Sequence, residues 1–504
     1  MEIEDLLDKS ERYQIYIIRQ LVLNGGRIAY RELFASLHIA KASFDKYLEN
    51  VKDRAQKVPH LFEFDWTSQE LTLHLSEKSM LQDIIHLYVK ESLKFQILDY
   101  LYQHQDFSVP QLTSKMALSE ASFYRRLKEI NGFLKEFDIQ VRNGKMHGEE
   151  LQIRYFFFQL YWFLVPYTQH QKELSESPQQ PAIRILERNL AFNLPQHDRC
   201  RLNLWLTISR KRILLKYKTY WQMRRKMEPF LEHTLYIELK DLTFRFLSRY
   251  SIEAEEEEAM MLFIFLNSMS ILPETAKNTL WTDENDFISP VTTLDQQALL
   301  QIKQSFQLQT ETEAWLPKSK YYLTQTHASL YFLTGDLLIF DLENIRKKEK
   351  RFTRPDVQRF AHQLLEMTLN ALQQPLDEMN TLQTTALIRY TSILALIEQL
   401  NQTTIEVGID LQMEKLYAEA FTAVLIQSLN EHHGIRIEHY QPAHLYDLVI
   451  TNTLVKDRYS AEQRIYLLSE LASQYDLQQI RKEMHHILQQ KKASFPAMPL
   501  EEKI

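Results

Sequence analysis

Arg31-Glu-Leu-Phe-Ala-Ser-Leu-His-Ile-Ala-Lys-Ala-Ser-Phe44 and Pro110-Gln-Leu-Thr-Ser-Lys-Met-Ala-Leu-Ser-Glu-Ala-Ser-Phe123 are one pattern written twice, 79 residues apart. The offset carries Leu33 onto Leu112, Leu37 onto Met116 and Ile39 onto Leu118. It carries Ala42-Ser43-Phe44 onto Ala121-Ser122-Phe123 unchanged, and runs on to Leu48 and Leu127, then Val51 and Ile130. Leu33 and Leu37 lie four apart and share one face of a short helix. Phe44, Leu48 and Val51 recur at four and three, the inner face of a second helix. A short polar turn separates them, with Ile39 or Leu118 plugging the core. An earlier helix is expected around Tyr16, Ile17 and Leu21, matched at the same offset by Phe95, Gln96 and Tyr100, where Gln96 breaks the apolar pattern. Three helices with a tight turn between the last two make a helix-turn-helix.

Each copy is followed by a strand pair. Leu61–Trp66 and Glu70–Leu75 alternate in polarity around Thr67-Ser-Gln69, and Ile139–Arg142 and Lys145-Met146 flank Asn143-Gly144, a hairpin turn signal. A helix-turn-helix with a hairpin is a winged helix, and its third helix enters a major groove. The outward residues expected there are Lys41, Ser43 and Lys46 in the first copy, beside Asp45 and Glu49. In the second they are Ser119, Ser122, Tyr124, Arg125, Arg126 and Lys128, with Arg142 and Lys145 at the wing. Arginine reads guanine in a bidentate way, and serine hydroxyls hold base edges or phosphate. Residues 107–145 carry seven Lys/Arg against four acids, whereas residues 1–55 carry nine of each, so the second copy is expected to contact phosphate more strongly.

Composition narrows the rest. The 504 residues include only 8 glycines, where average usage of roughly 7% would give about 35. No G-x-G-x-x-G and no P-loop motif occurs, so a nucleotide cofactor is not expected; neither H-E-x-x-H nor G-x-S-x-G occurs, and His432-His433 are too close to share a helix face as metal ligands. The reading is of a non-enzyme with no metal and no cofactor. A single cysteine, Cys200, excludes an intrachain disulfide, and the acidic start lacks the apolar run of a signal peptide. The apolar stretches Tyr155–Val165 and Met260–Leu266 are too short to span a bilayer, which takes about 20 residues. A cytoplasmic protein with no membrane partner is expected.

Residues 169–180 are polar and read as a linker. Arg199–Lys226 holds ten Lys/Arg and no acid; Leu202, Trp205, Leu206, Ile208, Ile213, Leu214 and Tyr217 give it one buried side. Its basic face is either solvated, paired with the acids of Ser251–Ala259, or a second phosphate surface at Arg210, Lys211, Arg212, Arg224 and Arg225. Helical spacing returns over Leu323–Phe340 and Ala361–Leu372. The end of the chain changes character: strands at Thr403–Ile409, Ile435–Tyr440 and Tyr446–Thr451 alternate with helices at Met413–His432, Ala461–Ala472 and Gln478–Gln490. That order predicts a parallel α/β domain.

The run Asn143-Gly-Lys-Met-His-Gly-Glu-Glu-Leu-Gln-Ile-Arg154 followed by Tyr155-Phe-Phe-Phe, and the tract Leu202-Asn-Leu-Trp-Leu-Thr-Ile-Ser-Arg-Lys-Arg-Ile213, resemble the Mga/AtxA family of Gram-positive virulence regulators. The resemblance extends to the order of segments along the whole chain. It implies a mainly α architecture: tandem winged helix-turn-helix domains at 1–78 and 79–168, helical domains similar to phosphotransferase-system regulation domains (PRD) at 169–288 and 289–401, and an enzyme IIB-like α/β domain at 402–504. It further implies a regulator of transcription that binds double-stranded DNA and forms a homodimer through its C-terminal domain. Phosphocarrier proteins of the phosphotransferase system would modulate it through histidine phosphorylation. His327, in Thr326-His-Ala-Ser-Leu-Tyr-Phe332, is the best-matched acceptor, with His197 and His233 as weaker candidates. Enzyme IIB proteins carry a phosphorylated cysteine after their first strand; Val407-Gly-Ile-Asp-Leu-Gln-Met413 has none, so phosphate cannot pass through this domain by that route. The alternatives are a phosphotransferase-system interaction or relay protein that does not bind DNA, and an RNA-binding antiterminator. The latter would open with a small β-domain, not with helices.

Overall fold

A computed structural model describes residues 1–249, 255–282, 287–306, 315–337, 355–375, 379–400, 405–429, 435–442, 444–454, 458–459, 463–471 and 473–493. These residues hold twenty α-helices and nine strands. They fall into two compact units, 1–298 with 320–392, and 299–319 with 393–504. Ser251, Gly434 and the pair His432-His433 lie outside the described residues.

The repeat at the start folds as two three-helix units. The first comprises α1 (Lys9–Leu23), β1 (Arg27–Ala29), α2 (Tyr30–Leu37), α3 (Lys41–Lys57), β2 (Phe62–Trp66) and β3 (Glu70–Leu75). The second comprises α4 (Leu81–Glu91), α5 (Leu93–His104), α6 (Val109–Lys115), α7 (Glu120–Leu134), β4 (Gln140–Arg142) and β5 (Lys145–His147). Leu33, Phe44, Leu48 and Val51 are buried, as are Leu112, Phe123 and Ile130. The repeat reaches the backbone: the turn residues His38 and Ala117, 79 apart, both have φ of +50°. That left-handed conformation is costly for a residue with a Cβ, and the turn keeps it in both copies.

One expectation changes. The first helix of each copy is in register at an offset of 80, not 79. Gln14, Ile17, Ile18 and Leu21 are buried in α1; Lys94, Ile97, Leu98 and Leu101 are buried in α5. The connection from α5 to α6 is therefore shorter by one residue, and Gln96 interrupted the sequence match because it faces solvent. Strand β1, only three residues long, gave no alternation to read. It pairs antiparallel with β3 and completes the order β1-β3-β2. In the second copy a single bridge, Asp106 to Lys145, stands in its place.

α8 (Glu150–Leu164) leaves the second wing and is buried along most of its length, Tyr155 to Leu160 included. It is followed by α9 (Tyr167–Ser175), α10 (Gln180–Asn189), α11 (Gln196–Arg212), α12 (Trp221–Met227), α13 (Thr234–Ser248) and α14 (Glu256–Ser268). The expected linker at 169–180 is thus largely helix: polar side chains face water from α9 while His170 is buried, its ring stacked on Trp162 at 4.8 Å. Arg199–Lys226 is not one helix either. It breaks after Arg212, and Leu214 and Tyr217, expected inside, are 74% and 88% exposed. Further helices are α15 (Pro290–Phe306), α16 (Leu316–Phe332), α17 (Pro355–Ala371) and α18 (Thr381–Leu400).

The second unit carries β6 (Ile405–Asp410), α19 (Lys415–Leu429), β7 (Ile435–His439), β8 (Leu448–Thr451), β9 (Arg464–Leu467) and α20 (Gln474–Ala493). The strands run parallel in the order β7-β6-β8-β9. Val407, Ile409, Leu448, Ile450, Leu425 and Met484 form the core. The helix expected over Ala461–Ala472 is corrected to β9. Leu448–Thr451 offers an open edge, and Arg464–Leu467 pairs with it residue for residue. Ile465 and Leu467 remain 41% and 47% exposed, as on an edge strand.

Among the described residues no helix is long and apolar enough to cross a membrane.

Candidate nucleic-acid interface

On α7, Ser119 is the N-cap: its hydroxyl accepts from the Ser122 amide at 3.2 Å. Tyr124, Arg125 and Lys128 follow on one exposed face. Arg125 and Lys128 have no ion pair among the described residues. Ser122 is half-buried. On α3, Lys41 and Lys46 are exposed and Ser43 is half-buried. Asp45, expected to look outward, instead accepts from the Tyr30 hydroxyl at 2.5 Å, inside an aromatic cluster with Phe34, Phe44 and Trp66. Burial first, and then Asp45, push the Tyr30 phenol up to about 12.

Arg126 departs from expectation. Its side chain is only 12% exposed, and its guanidinium meets both oxygens of Asp8 at 3.2 and 3.0 Å. It joins the two copies instead of facing outward. The joint has other members. Lys94 is buried and donates to the Asp5 and Leu7 carbonyls at 2.7 and 3.1 Å, with Glu129 at 3.1 Å. Arg54 lies 3.8 Å over the Tyr88 ring and pairs with Glu91 at 2.7 Å. Tyr88 donates to Gln14 at 3.1 Å.

The wing is tied to α7 by one side chain. Asn131 donates to the Val141 carbonyl at 2.9 Å and accepts from the Val141 amide at 2.7 Å. Asn143 and Gly144 have φ of +50° and +72°, both left-handed, as a two-residue type I′ turn requires. A Cβ on Gly144 would collide with the Phe107 carbonyl. Arg142 is exposed with no ion pair among the described residues. Lys145 lies 3.8 Å from Asp106 and 5.8 Å over the Tyr217 ring, so its charge is partly answered.

Behind the wing, α8 is locked to the helices that follow by an alternating chain of charges. Arg154, fully buried, places Nη1 and Nη2 on Glu258 at 2.6 and 2.7 Å, and Nε on Glu150 at 2.9 Å. Glu150 also takes Arg212 through Nε and Nη2 at 2.8 and 2.9 Å. Burial acts to raise the Glu150 carboxyl, but the two guanidiniums outweigh it and hold it below its ordinary value. Gln152 adds a bond from α8 to the Phe332 carbonyl at 3.0 Å. Sequence reasoning assigned no role to Arg154, Glu150 or Asn131. The available signal was two opposite charges four apart in an otherwise apolar run.

The basic run is paired with acid over much of its length. Arg212 meets Glu150, Lys218 meets Glu255 at 2.8 Å, and Arg224 meets Glu257. Lys211 donates to Gln103 at 2.6 Å. Arg210 and Arg225 stay exposed.

The three candidate histidines differ. His327 is fully buried; its Nδ1 lies 2.5 Å from Asp295 Oδ1, and Nε2 is enclosed with no hydrogen-bond partner. His233 is buried against Phe263 and Phe287. His197 is 56% exposed, with Asp198 at 3.3 Å. At the end of β6, Asp410 is held by Arg458 at 2.5 and 3.0 Å and by the Tyr459 hydroxyl at 2.9 Å. Glu406, Glu438 and His444 bring potential metal-ligand atoms within 4.8 Å. Arg436 already lies 3.9 Å from Glu406 and 3.4 Å from Glu438, and Tyr446 donates to Glu438, so the group reads as ion pairs.

Comparison with known proteins agrees with the geometry. Residues 77–161, from just before α4 into α8, match the Mga helix-turn-helix domain. The chain is 22% identical over 285 residues to a Streptococcus pneumoniae protein named as a trans-acting regulator, covering 54% of this chain and 55% of that one. It is 22% identical over 273 residues to the capsule synthesis positive regulator AcpB of Bacillus anthracis, covering 52% and 54%. The matched stretch thus spans about half the length of these relatives. The resemblance to the Mga/AtxA family is borne out by these matches.

Proposed function

We propose that this chain, which resembles the Mga/AtxA regulators, is a non-enzymatic transcription regulator that binds double-stranded DNA through its paired winged helices. The observation that carries this reading is the exposed row Tyr124, Arg125 and Lys128 on a helix fixed to its wing by Asn131, within the segment that matches the Mga helix-turn-helix domain. Ser119 and Ser122 open that helix towards phosphate. Lys41, Ser43 and Lys46 serve the first copy, and Arg142 and Lys145 follow the backbone from the wing. Arg126 is assigned to the joint between the copies. Contacts of this kind are mainly to phosphate, and site choice then rests partly on DNA shape.

The same reading includes a homodimer made by an enzyme IIB-like C-terminal domain. Its support is an uncovered apolar stripe on α19: Leu416, Tyr417 and Val424 are 67%, 56% and 47% exposed. Dimerisation would set the spacing of half-sites. The helical region between is read as two PRD-like domains addressed by phosphocarrier proteins. Asp295 fixes the His327 ring through Nδ1 and leaves Nε2 as the nitrogen for a phosphoryl group. That nitrogen is enclosed, so transfer requires α16 to open first. His197 is the candidate already within reach of a partner, and His233 shares the burial of His327.

The test is a gel-shift titration of the full chain against DNA upstream of its own gene, with a parallel phosphotransfer assay from the general carrier proteins. A DNA shift that weakens with salt is expected. Phosphate uptake with no shift at any salt would favour the relay protein instead.

A further inference from the structure

The helices after α8 leave a cleft between α10, α11, α13 and α14. It measures about 610 Å³, within the range of small-molecule sites, about 300–1,000 Å³. Ile185, Leu206 and Leu242 make its walls apolar. Trp205 lies on the lining and is held in place by stacking on Phe265 at 4.4 Å. Arg210 and Thr243 are polar groups on the lining. Arg210 is exposed and has no ion pair among the described residues. Thr243 Oγ1 is buried without a hydrogen-bond partner, which is costly unless something fills the space beside it. Glu258, also on the lining, is already taken by Arg154.

We infer that this cleft binds a small amphipathic anion, an aliphatic monocarboxylate whose chain lies among the apolar walls and whose head meets Arg210. The charge argument fixes the head: one free guanidinium, whose planar fork matches a carboxylate, and a neighbouring carboxylate, Glu258, that is neutralised and does not repel it. The enclosure fixes the size: walls on four helices suit a small molecule better than a partner helix. Because the lining includes Glu258, a ligand here touches the charge chain that holds α8, and with it the support of the second wing. Binding itself does not depend on the DNA-binding reading.

The full-length chain is titrated with 11-bromoundecanoate in the absence of DNA, following quenching of tryptophan fluorescence. Saturable quenching at one equivalent is expected, reversed by undecanoate and reduced in Trp205→Phe. Arg210→Ala weakens undecanoate about tenfold or more and leaves undecanol within about threefold, since only the acid uses the guanidinium. Leu206→Trp fills the cleft and removes binding of both; Ala182→Leu does so more gently, with unchanged circular dichroism as the control for folding. Equal quenching in Trp205→Phe, or an unchanged undecanoate affinity in Arg210→Ala, would overturn the inference. So would cleft-filling variants that change the sedimentation of the protein and not its ligand binding, which would assign the cleft to a second copy.

Discussion

Arg154 and Glu258 face each other with two parallel hydrogen bonds of 2.6 and 2.7 Å, the arginine fully buried. One belongs to the helix that leaves the second wing and the other to a helix about a hundred residues on, so the pair joins the second winged unit to the helical region. Removing one partner strands a charge in a dry site, which costs about 3–5 kcal/mol. Glu258→Gln is expected to lower the unfolding free energy by that order, read as a lower urea midpoint at an unchanged m-value. The double change Arg154→Met with Glu258→Leu costs less than either single change. Additive losses would show that the pair is not a unit.

Acid should loosen the same region. Glu150, Glu255 and Glu256 are all held below the ordinary glutamate value of 4.5. For Glu255, burial raises the carboxyl and the bonds from Lys218 and Tyr220 more than offset it; for Glu256 the Lys240 bond dominates. A depressed carboxyl contributes stability that is present above the unfolded value and lost as pH falls through the folded one. Thermal stability is therefore expected to be flat in these groups near neutrality and to fall below about pH 4.5. Lys240→Met should flatten that acid limb; an unchanged limb would remove Glu256 from the account.

Arg125 and Arg126 are neighbours in sequence with different expected roles. Arg125→Ala and Lys128→Ala should each reduce the slope of log affinity against log salt by about 0.9. Arg126→Ala should leave the slope nearly unchanged and destabilise the joint to Asp8 by about 1 kcal/mol, read as a lower melting temperature. A slope change for Arg126→Ala equal to that of Arg125→Ala would return Arg126 to the DNA surface.

Asn131→Ala leaves the buried Val141 amide and carbonyl without partners, at about 1–3 kcal/mol. Faster hydrogen exchange at the Val141 amide is expected, with weaker DNA binding. Exchange at the wild-type rate would show that the wing is held by other contacts.

The sequence determined the kind of fold. A pattern repeated at a fixed offset, with helical spacing inside each copy, defines two helix-turn-helix units, and Asn143-Gly144 defines the second wing. Strand and helix patterns in the last hundred residues define most of the parallel sheet. These are periodicities of neighbouring residues, and a linear chain displays them directly. The family resemblance supplied further expectations, and of these the regulator character is the one that the comparisons support. What only the tertiary structure decided are choices between residues of like type. Arg126, not Arg125, meets an acid 118 positions earlier. Ile97 faces inward where Gln96 was aligned with Ile17, because one loop is a residue shorter. Arg464–Leu467 became a strand because an open sheet edge was beside it, and Arg154 is buried because Glu150 and Glu258 are there to pair with it. Each depends on which surfaces dock, and docking brings together residues whose separation in sequence carries no period.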